Sequence, residues 1–375
     1  MPNILAGSIN GKFGVRPHRD LQVLSLIVNN RCNLGCRHCY FQAEKSTAAL
    51  TAAEWLQVLD SVYRKLEPVT VTFAGREIFA LAESVELFSA AIERLRQLKP
   101  HRRTEIGVIT NGTLLQPYHS LLLSSPPDYI DVSIDGLPAQ HDAIRGKGAF
   151  QAVAPELHWL QEHFGNLWLT PTLNSATVTK LPELIAYYRK EFGSRRFSVG
   201  FYVPLIYTDL DLSLTKKDYE LFVTDTLVAL EKIKGVSDVE IIIELDQNQK
   251  GLIHRLEVAG YLRTGQAISS EDFILDNGLT LTFNVARMPV GLWRSVRLSA
   301  DGGWIAAEDM LRITEYDRLA TAWVREQNYD AEKLYQAGLA SERFQELLRS
   351  SPSLQSYYSR QKKNSIPGRV QQTLA

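Results

Sequence analysis

The chain has 375 residues, enough for one large or two ordinary domains with a sizeable core. Hydrophobic residues make up 45% of it and charged residues 22%, as in an ordinary globular protein, and 41 Lys and Arg balance 42 Asp and Glu. A net charge of −1 gives no support to a protein that binds nucleic acid by neutralising phosphates, so we expect no nucleic-acid partner.

Strands and helices are predicted to alternate along the first 200 residues. The predicted strands are 21–28, 69–73, 106–109, 129–134, 167–173 and 197–203, and the predicted helices are 51–66, 84–98, 150–163 and 181–192. Thr51 and Glu54 have capping-box spacing at the start of the first helix. The alternation indicates an α/β fold with a parallel sheet and right-handed crossovers. Six units rather than eight indicate a partial barrel, whose chemistry lies at the C-terminal ends of the strands.

The pattern changes after about residue 210. We predict a helix over 219–234, strands over 239–244, 279–283 and 296–299, and a hairpin that returns over 304–307, followed by helical residues from about 315 to 350. The last residues are basic without acids, which is typical of a flexible terminus, although a substrate- or partner-binding arm stays open. The predicted parts are therefore an N-terminal extension (1–20), a barrel (21–210), a C-terminal α+β extension (211–350) and a basic tail (351–375).

The cysteines are the most informative residues. Cys32, Cys36 and Cys39 are the three cysteines of the chain, and they directly follow the first predicted strand. An odd number leaves one thiol outside any intramolecular disulfide set, and a four-thiolate zinc site needs a fourth cysteine. The first residues lack the pattern of a signal peptide, and no apolar stretch reaches the roughly 18 residues that span a bilayer. We therefore expect a cytoplasmic protein without a membrane partner, in which clustered thiols indicate metal or redox chemistry.

The spacing of this loop, C-x₃-C-x₂-C, suits an iron–sulfur cluster with one open iron. Three thiolates can hold three irons of a [4Fe–4S] cluster, and the fourth iron then keeps positions at which a substrate or cofactor binds. The alternative is a zinc knuckle of the three cysteines and His38, although His38 is adjacent to Cys39 and a shared tetrahedron would be strained.

This loop resembles the signature of the radical S-adenosylmethionine (SAM) superfamily, with His38 at the aromatic position before the third cysteine. The resemblance implies a partial (β/α)6 TIM-like barrel and one [4Fe–4S] cluster on Cys32, Cys36 and Cys39. It also implies that the unique iron chelates SAM, and that a 5′-deoxyadenosyl radical abstracts hydrogen from the substrate. A flavodoxin- or ferredoxin-type protein is the expected reductant.

The second predicted strand ends in Ala74-Gly75-Arg76-Glu77, which is similar to the Gly-Gly-Glu segment of that superfamily. The resemblance implies that Gly75 and Glu77 meet the SAM ammonium group. The sequence departs from the family at Arg76, which replaces the second glycine, and at Ile78, which replaces the usual proline. Arg76 could place a cation near the substrate.

Later strand ends carry further matches. Thr110-Asn111-Gly112-Thr113 is similar to the family's Thr-Asn-Gly turn, and Ser133-Ile134-Asp135-Gly136, followed by His141-Asp142 and Arg145-Gly146, resembles a block of the peptide-modifying branch. The cofactor-binding residues implied by the resemblance, besides His38, Gly75 and Glu77, are Asn111, Ser133, Asp135, Arg145 and Asn174. Among them, Ser133 and Arg145 would hold the SAM carboxylate and ribose region, and Asn174 the ribose. The alternative for Asn111-Gly112 and Asp135-Gly136 is ordinary turn chemistry.

The C-terminal hairpin resembles a degenerate SPASM domain. Residues 298–308 are similar to the first SPASM hairpin, but Ala307 stands near the position of its cysteine. Because the chain has no further cysteine, it cannot itself ligate an auxiliary cluster through cysteine or supply a separate thiol as hydrogen donor. Peptide epimerisation and formylglycine formation are therefore disfavoured.

The leading functional prediction is a radical SAM maturase of a ribosomally made precursor peptide. The best specific resemblance is to the spliceases that excise tyramine at a Tyr-Gly site and leave an α-keto-β-amino amide. Since only 20 residues precede the first predicted strand, we expect either the C-terminal half or a small partner protein to recognise the leader. Peptide cross-linking or cyclophane formation, small-molecule chemistry and a non-enzymatic metal-binding scaffold that recognises peptides are the alternatives. Candidate substrate-side residues are Arg76, Tyr202 and Trp293.

Overall fold

The computed structural model describes ten segments of the chain: residues 23–29, 31–39, 50–65, 70–74, 76–98, 104–204, 209–265, 268–286, 295–298 and 304–306. These residues divide into two compact units. The cysteine-loop unit contains the described residues of 31–39 and 107–286. The β1–β2 unit contains those of 23–29, 50–106, 295–298 and 304–306.

The cysteine-loop unit is built on a mostly parallel sheet. Its strands are β3 (Glu105–Thr110, of which the first two residues belong to the other unit), β4 (Tyr129–Ser133), β5 (Leu167–Thr170), β6 (Thr172–Leu173), β7 (Arg196–Phe201), β8 (Glu240–Leu245), β9 (Ile268–Ile274) and β10 (Thr280–Ala286). The strand order is β3-β4-β5-β7-β8-β10-β9, with β6 beside β7. All these pairs are parallel except β9 with β10.

Seven helices belong to the described part of this unit. They are α3 (His119–Ser124), α4 (Pro138–Arg145), α5 (Ala149–His163), α6 (Leu181–Phe192), α7 (Lys216–Leu221), α8 (Leu227–Leu230) and α9 (Lys250–Val258), and a π-helical segment, Phe222–Thr226, joins α7 to α8. Apolar strand residues such as Val132, Phe197 and Ile242 are fully buried. Burial of apolar area on both faces of the strands stabilises a sheet of this kind.

The β1–β2 unit also has a mostly parallel sheet. Its strands β1 (Val23–Leu26), β2 (Thr70–Phe73), β11 (Ser295–Leu298) and β12 (Trp304–Ala306) lie in the order β12-β11-β1-β2, and β12 is antiparallel to β11. Helices α1 (Ala52–Lys65) and α2 (Ala82–Leu98) pack against each other. The Arg94 guanidinium joins them by donating to both carboxylate oxygens of Asp60, at 2.8 and 2.6 Å.

Most predicted elements are confirmed. The bounds of α6 are those predicted, the other barrel elements match to within a few residues, and the β11–β12 hairpin forms. The capping box of α1 is present, because the Thr51 amide donates to Glu54 Oε2 at 2.8 Å and the Glu54 amide to Thr51 Oγ1 at 3.3 Å.

The observed elements differ from the predicted ones in four respects. The predicted strand 167–173 is two strands, since Pro171 has no N–H to donate to a ladder. The predicted helix 219–234 begins at Lys216, where Thr215 and Asp218 form a capping box, and ends at Leu230. The parallel sheet continues through β8 and β10, beyond the six predicted units. Helices α3, α4 and α9 and strand β9 were not predicted.

Several predictions lie outside the described residues. They are the N-terminal extension, Gly75, Trp293, the hairpin turn at 299–303, the position of Ala307, the helical residues after 315 and the basic tail. The four-part domain division stays a prediction. In the part of the chain that is described, no helix is long and apolar enough to cross a membrane.

Candidate active site at the cysteine loop

Backbone and side-chain bonds anchor the cysteine loop within its unit. The Arg37 amide donates to the Ile144 carbonyl of α4 at 2.9 Å. The Arg37 guanidinium donates to Asp209 Oδ2 from Nε at 2.8 Å and from Nη2 at 2.5 Å. The loop is therefore attached both to α4 and to the segment after β7.

The three thiols form no disulfide, and they differ in exposure. Cys32 is exposed, Cys39 is half-buried and Cys36 is buried. Burial raises the pKa of Cys36 to about 12, against the opposing effect of the Arg145 charge, and the neighbouring Cys39 raises it further. The Cys36 thiol is thus protonated at neutral pH, and a metal that binds there must displace its proton.

Asp135, which follows β4, is the centre of a buried charge cluster. Its Oδ2 accepts from Arg145 Nε at 2.5 Å and lies 2.9 Å from His38 Nε2, and its Oδ1 accepts from the Thr172 amide at 3.1 Å. Burial opposes ionisation of Asp135, but the Arg145 charge and then His38 outweigh it, so the pKa of this carboxyl lies well below its usual range. Asp135 is therefore a carboxylate that joins the cysteine loop to α4.

Asn111 lies at the end of β3 and contacts the cysteine loop directly. Its Nδ2 donates to Asn33 Oδ1 at 3.0 Å and lies 3.7 Å from Cys32 Sγ, within the range of a hydrogen bond to sulfur. Its Oδ1 accepts from the Thr113 amide at 2.9 Å and from the Thr113 hydroxyl at 2.6 Å. Asn33 Nδ2 donates in turn to Thr113 Oγ1 at 2.8 Å.

Buried polar atoms of the same unit have hydrogen-bonding capacity to spare. Asn174 Nδ2, His38 Nδ1 and His141 Nε2 are buried without a hydrogen-bond partner among the described groups. Burial lowers the pKa of His141 to about 4, followed by the Arg145 charge, so this ring is neutral at neutral pH. Ser133, the last residue of β4, is half-buried. Buried polar atoms normally have partners, so these atoms suit a polar ligand.

Glu77 and Arg76 belong to the β1–β2 unit. Glu77 is fully buried, and its Oε1 accepts from the Phe79 amide at 3.1 Å, which caps the short helix Ile78–Ala80. Asn29 Nδ2 donates to the Glu77 carbonyl at 3.1 Å. Arg76 has φ 29°, and it is the one non-glycine residue in the described segments with a positive φ. The position where the family has glycine thus takes a backbone conformation that favours glycine.

The donors of the cysteine loop are those of a [4Fe–4S] cluster that is held by three thiolates. Among the described residues, no group of three or more His, Cys, Asp and Glu side chains is arranged to hold one metal ion. His38 Nε2 is engaged with Asp135, so a zinc ion would have to bind His38 through Nδ1. A cluster makes a different demand, because each thiolate binds its own iron.

Several residues that support the site were not predicted from the sequence. Asn33, Thr113 and Asp209 hold the loop, and Tyr188 donates its hydroxyl to the Gly136 carbonyl at 3.0 Å. Asn33 and Thr113 lie inside the recognised motifs, so their positions in the sequence could have identified them as residues of the site. Tyr202, a predicted substrate-side residue, is buried and donates to the Asp209 carbonyl at 2.9 Å.

Comparison with protein families identifies the domain. Residues 26–185 match the family model described as the radical SAM superfamily. The three cysteines and all the predicted cofactor-binding residues lie inside this match, whose family uses a [4Fe–4S] cluster and SAM. Residues 26–185, which are less than half of the chain, are therefore similar to a radical SAM domain.

Three relatives of known name are similar to parts of the chain. Fe-coproporphyrin III synthase of Methanosarcina barkeri is 30% identical over 199 residues, which cover 52% of this chain and 46% of that protein. Pre-heme d1 synthase of Dinoroseobacter shibae is 25% identical over 244 residues, which cover 58% of this chain and 56% of that protein. The antilisterial bacteriocin subtilosin biosynthesis protein AlbA of Bacillus subtilis is 25% identical over 140 residues, which cover 36% of this chain and 30% of that protein. The chain spans about half the length of these relatives, or less.

Two solved structures share the fold. SuiB of Streptococcus suis has a TM-score of 0.58 and 14% identity, covering 79% of this chain and 62% of that one. Native anSMEcpe with bound AdoMet has a TM-score of 0.57 and 15% identity, and the match covers 85% of this chain and 83% of that one. The predicted α/β fold with a partial barrel is confirmed.

Proposed function

Because residues 26–185 are similar to a radical SAM domain, we propose that this chain is a radical SAM enzyme that modifies a ribosomally made precursor peptide. The single observation that carries the enzymatic part is the three-cysteine loop, which is anchored next to a buried Arg–Asp–His cluster. The peptide substrate is supported by the resemblance of the 133–146 block and by the similarity to AlbA, a bacteriocin biosynthesis protein.

In this proposal Cys32, Cys36 and Cys39 hold one [4Fe–4S] cluster, and SAM binds to polar residues of the chain. When bound, the cluster and SAM together supply reductive C–S bond cleavage and hydrogen abstraction from the substrate. The cofactor-binding residues are those of the sequence prediction: His38, Gly75, Glu77, Asn111, Ser133, Asp135, Arg145 and Asn174.

The chain's own residues orient the groups that bind SAM, and they pair its buried charges. Asp135 fixes the orientation of the Arg145 guanidinium through Nε, and it engages the ring of His38. Arg145 is suited to a carboxylate, because a guanidinium presents several N–H donors in a plane. The buried Nδ2 of Asn174 is suited to a ribose hydroxyl. The loop must lose the Cys36 proton when iron binds.

The metal part of the proposal is tested by iron analysis after anaerobic reconstitution. We expect about four irons per chain, since a cubane cluster holds four. Cys36→Ala should lose iron, whereas Asp238→Asn, an exposed control that breaks surface ion pairs with Arg189 and Arg195, should keep it. One zinc per chain, retained by the wild type, would contradict the cluster.

The finer proposal is backbone splicing of the precursor, with excision of tyramine. The test mixes the enzyme, a precursor peptide and a small leader-binding protein encoded nearby, a flavodoxin- or ferredoxin-type reductant and SAM. Mass spectrometry should show a loss that corresponds to tyramine. A loss of two hydrogens would favour cross-linking or cyclophane formation instead, and an unmodified peptide would contradict a peptide substrate.

A second candidate is chemistry on a porphyrin. It is favoured by the 30% identity to Fe-coproporphyrin III synthase, which is higher than the identity to AlbA. Incubation with iron tetrapyrroles that are candidate precursors of Fe-coproporphyrin III, SAM and dithionite under the same conditions discriminates the two. SAM-dependent formation of Fe-coproporphyrin III, with the peptide unchanged, would replace the peptide proposal.

A further inference from the structure

The turn after β3 contains an amide that lies against a cysteine sulfur. Asn111 Nδ2 is 3.7 Å from Cys32 Sγ, and the Leu34 amide donates to the same sulfur at 3.4 Å. Cys32 is also the most exposed of the three cysteines.

The orientation of the Asn111 amide follows from its other bonds. Asn111 is buried, and its oxygen accepts both the amide and the hydroxyl of Thr113. The NH₂ group must therefore face Asn33 and Cys32, because a flipped amide would lose two acceptor bonds and place oxygen against sulfur. Asn33 completes a closed set of bonds with Asn111 and Thr113.

We propose that Asn111 is a positioning residue for the cluster, which donates an N–H···S hydrogen bond to the Cys32 thiolate and thereby raises the reduction potential of the cluster. The inference deepens the proposed function and rests on its [4Fe–4S] cluster. Hydrogen bonds to ligand sulfurs and solvent exposure are among the factors that set cluster potentials. A donor stabilises the extra negative charge of the reduced state, so its loss makes the potential more negative. Asn111 thus acts on a cluster ligand, whereas the family resemblance assigns it to the SAM site.

Four variants separate this role from its alternatives. Asn111→Leu removes the donor at similar volume, and Asn111→Ser is too short to reach Cys32. Thr113→Val loosens the turn but leaves the amide donor in place. Asn166→Leu serves as a matched control. It removes a side-chain amide just before β5 begins, which donates to the Asp128 carbonyl.

The experiment measures the cluster midpoint potential by anaerobic redox titration of the reconstituted full chain, with iron content and the SAM dissociation constant measured on the same samples. We expect a more negative potential in both Asn111 variants when the potential is measured in the absence of SAM. Thr113→Val and Asn166→Leu should keep the wild-type potential.

Four outcomes would overturn the inference. An unchanged potential with weakened SAM binding would place Asn111 at SAM instead. An equal negative shift in Thr113→Val would make the effect a general loosening of the turn. A wild-type chain that holds no iron would defeat the proposed function together with this inference. A wild type that holds about four irons with unshifted variants defeats the inference alone.

Discussion

Asp135 is a fully buried carboxylate that joins three parts of the site. A fully buried carboxylate is costly unless it is paired, and here one guanidinium, one imidazole and one backbone amide face its two oxygens. The sequence placed Asp135 in a recognised motif, but its pairing with His38 joins positions about 100 residues apart. No local pattern encodes that contact.

We predict that Asp135→Asn lowers the free energy of unfolding of the cluster-free protein by about 3–5 kcal/mol, because it leaves the buried Arg145 charge without a counterion. The control Asp238→Asn breaks exposed pairs and should cost at most about 1 kcal/mol. Urea unfolding at neutral pH measures both.

The difference between wild type and Asp135→Asn should also depend on pH. The pKa of Asp135 is depressed in the folded state, so its stabilising contribution is complete above the unfolded pKa of about 3.9 and declines as the pH falls below it. Urea titrations should give a constant difference between pH 7 and 5, and a smaller one below about pH 4. A difference that grows on acidification would contradict this ionisation.

Arg76 carries backbone strain that a glycine would relieve. A left-handed conformation costs a residue with a Cβ about 1–2 kcal/mol. Arg76→Gly and Arg76→Ala lose the same side chain, and only the alanine keeps the Cβ. We therefore expect the glycine variant to be more stable by about 1 kcal/mol in thermal or urea unfolding. An alanine variant of equal or higher stability would show that the backbone relaxes at this position.

At the scale of elements, caps and apolar periodicity were sufficient for most helices. Thr51 with Glu54 and the apolar face of α2 indicated their helices from the sequence. Strand β9 has Ser269 and Glu271 at buried positions, so its pattern lacks the alternation that marks a half-buried strand. Its place is fixed by antiparallel pairing with β10, a contact that the sequence does not show.

The turn after β3 depends on Gly112, which has φ 76° and a close neighbour in α5. A Cβ on Gly112 would lie 2.6 Å from Val153 Cγ2, whereas one on Gly148, with φ 85°, would meet nothing within 4 Å. Gly148→Ala should cost about 1–2 kcal/mol from backbone strain alone. Gly112→Ala should cost about 1–3 kcal/mol more, because it also overpacks the core.

Urea unfolding of the two variants measures the difference. Equal losses would mean that Val153 moves aside without cost. A larger loss for Gly112→Ala should be accompanied by lower iron retention, since this turn holds Asn111 against the cysteine loop.

At the scale of the whole molecule, the order of motifs at successive strand ends was readable because parallel strands bring their carboxyl ends to one edge. From that rule we predicted the functional residues of the barrel, and their roles stay a prediction. The substrate cannot be inferred from the sequence in the same way. Substrate contacts depend on side chains without a portable motif, and the chain covers only about half the length of its named relatives.

A radical SAM enzyme cleaves SAM reductively, so the formation of 5′-deoxyadenosine tests whether this chain is one. The reconstituted chain is incubated anaerobically with SAM and dithionite, and the products are quantified by chromatography with mass detection. We expect 5′-deoxyadenosine from the wild type and from Asp238→Asn, and none above background from Cys36→Ala. An iron-loaded wild type that leaves SAM intact, or a Cys36→Ala variant as active as the wild type, would contradict the claim.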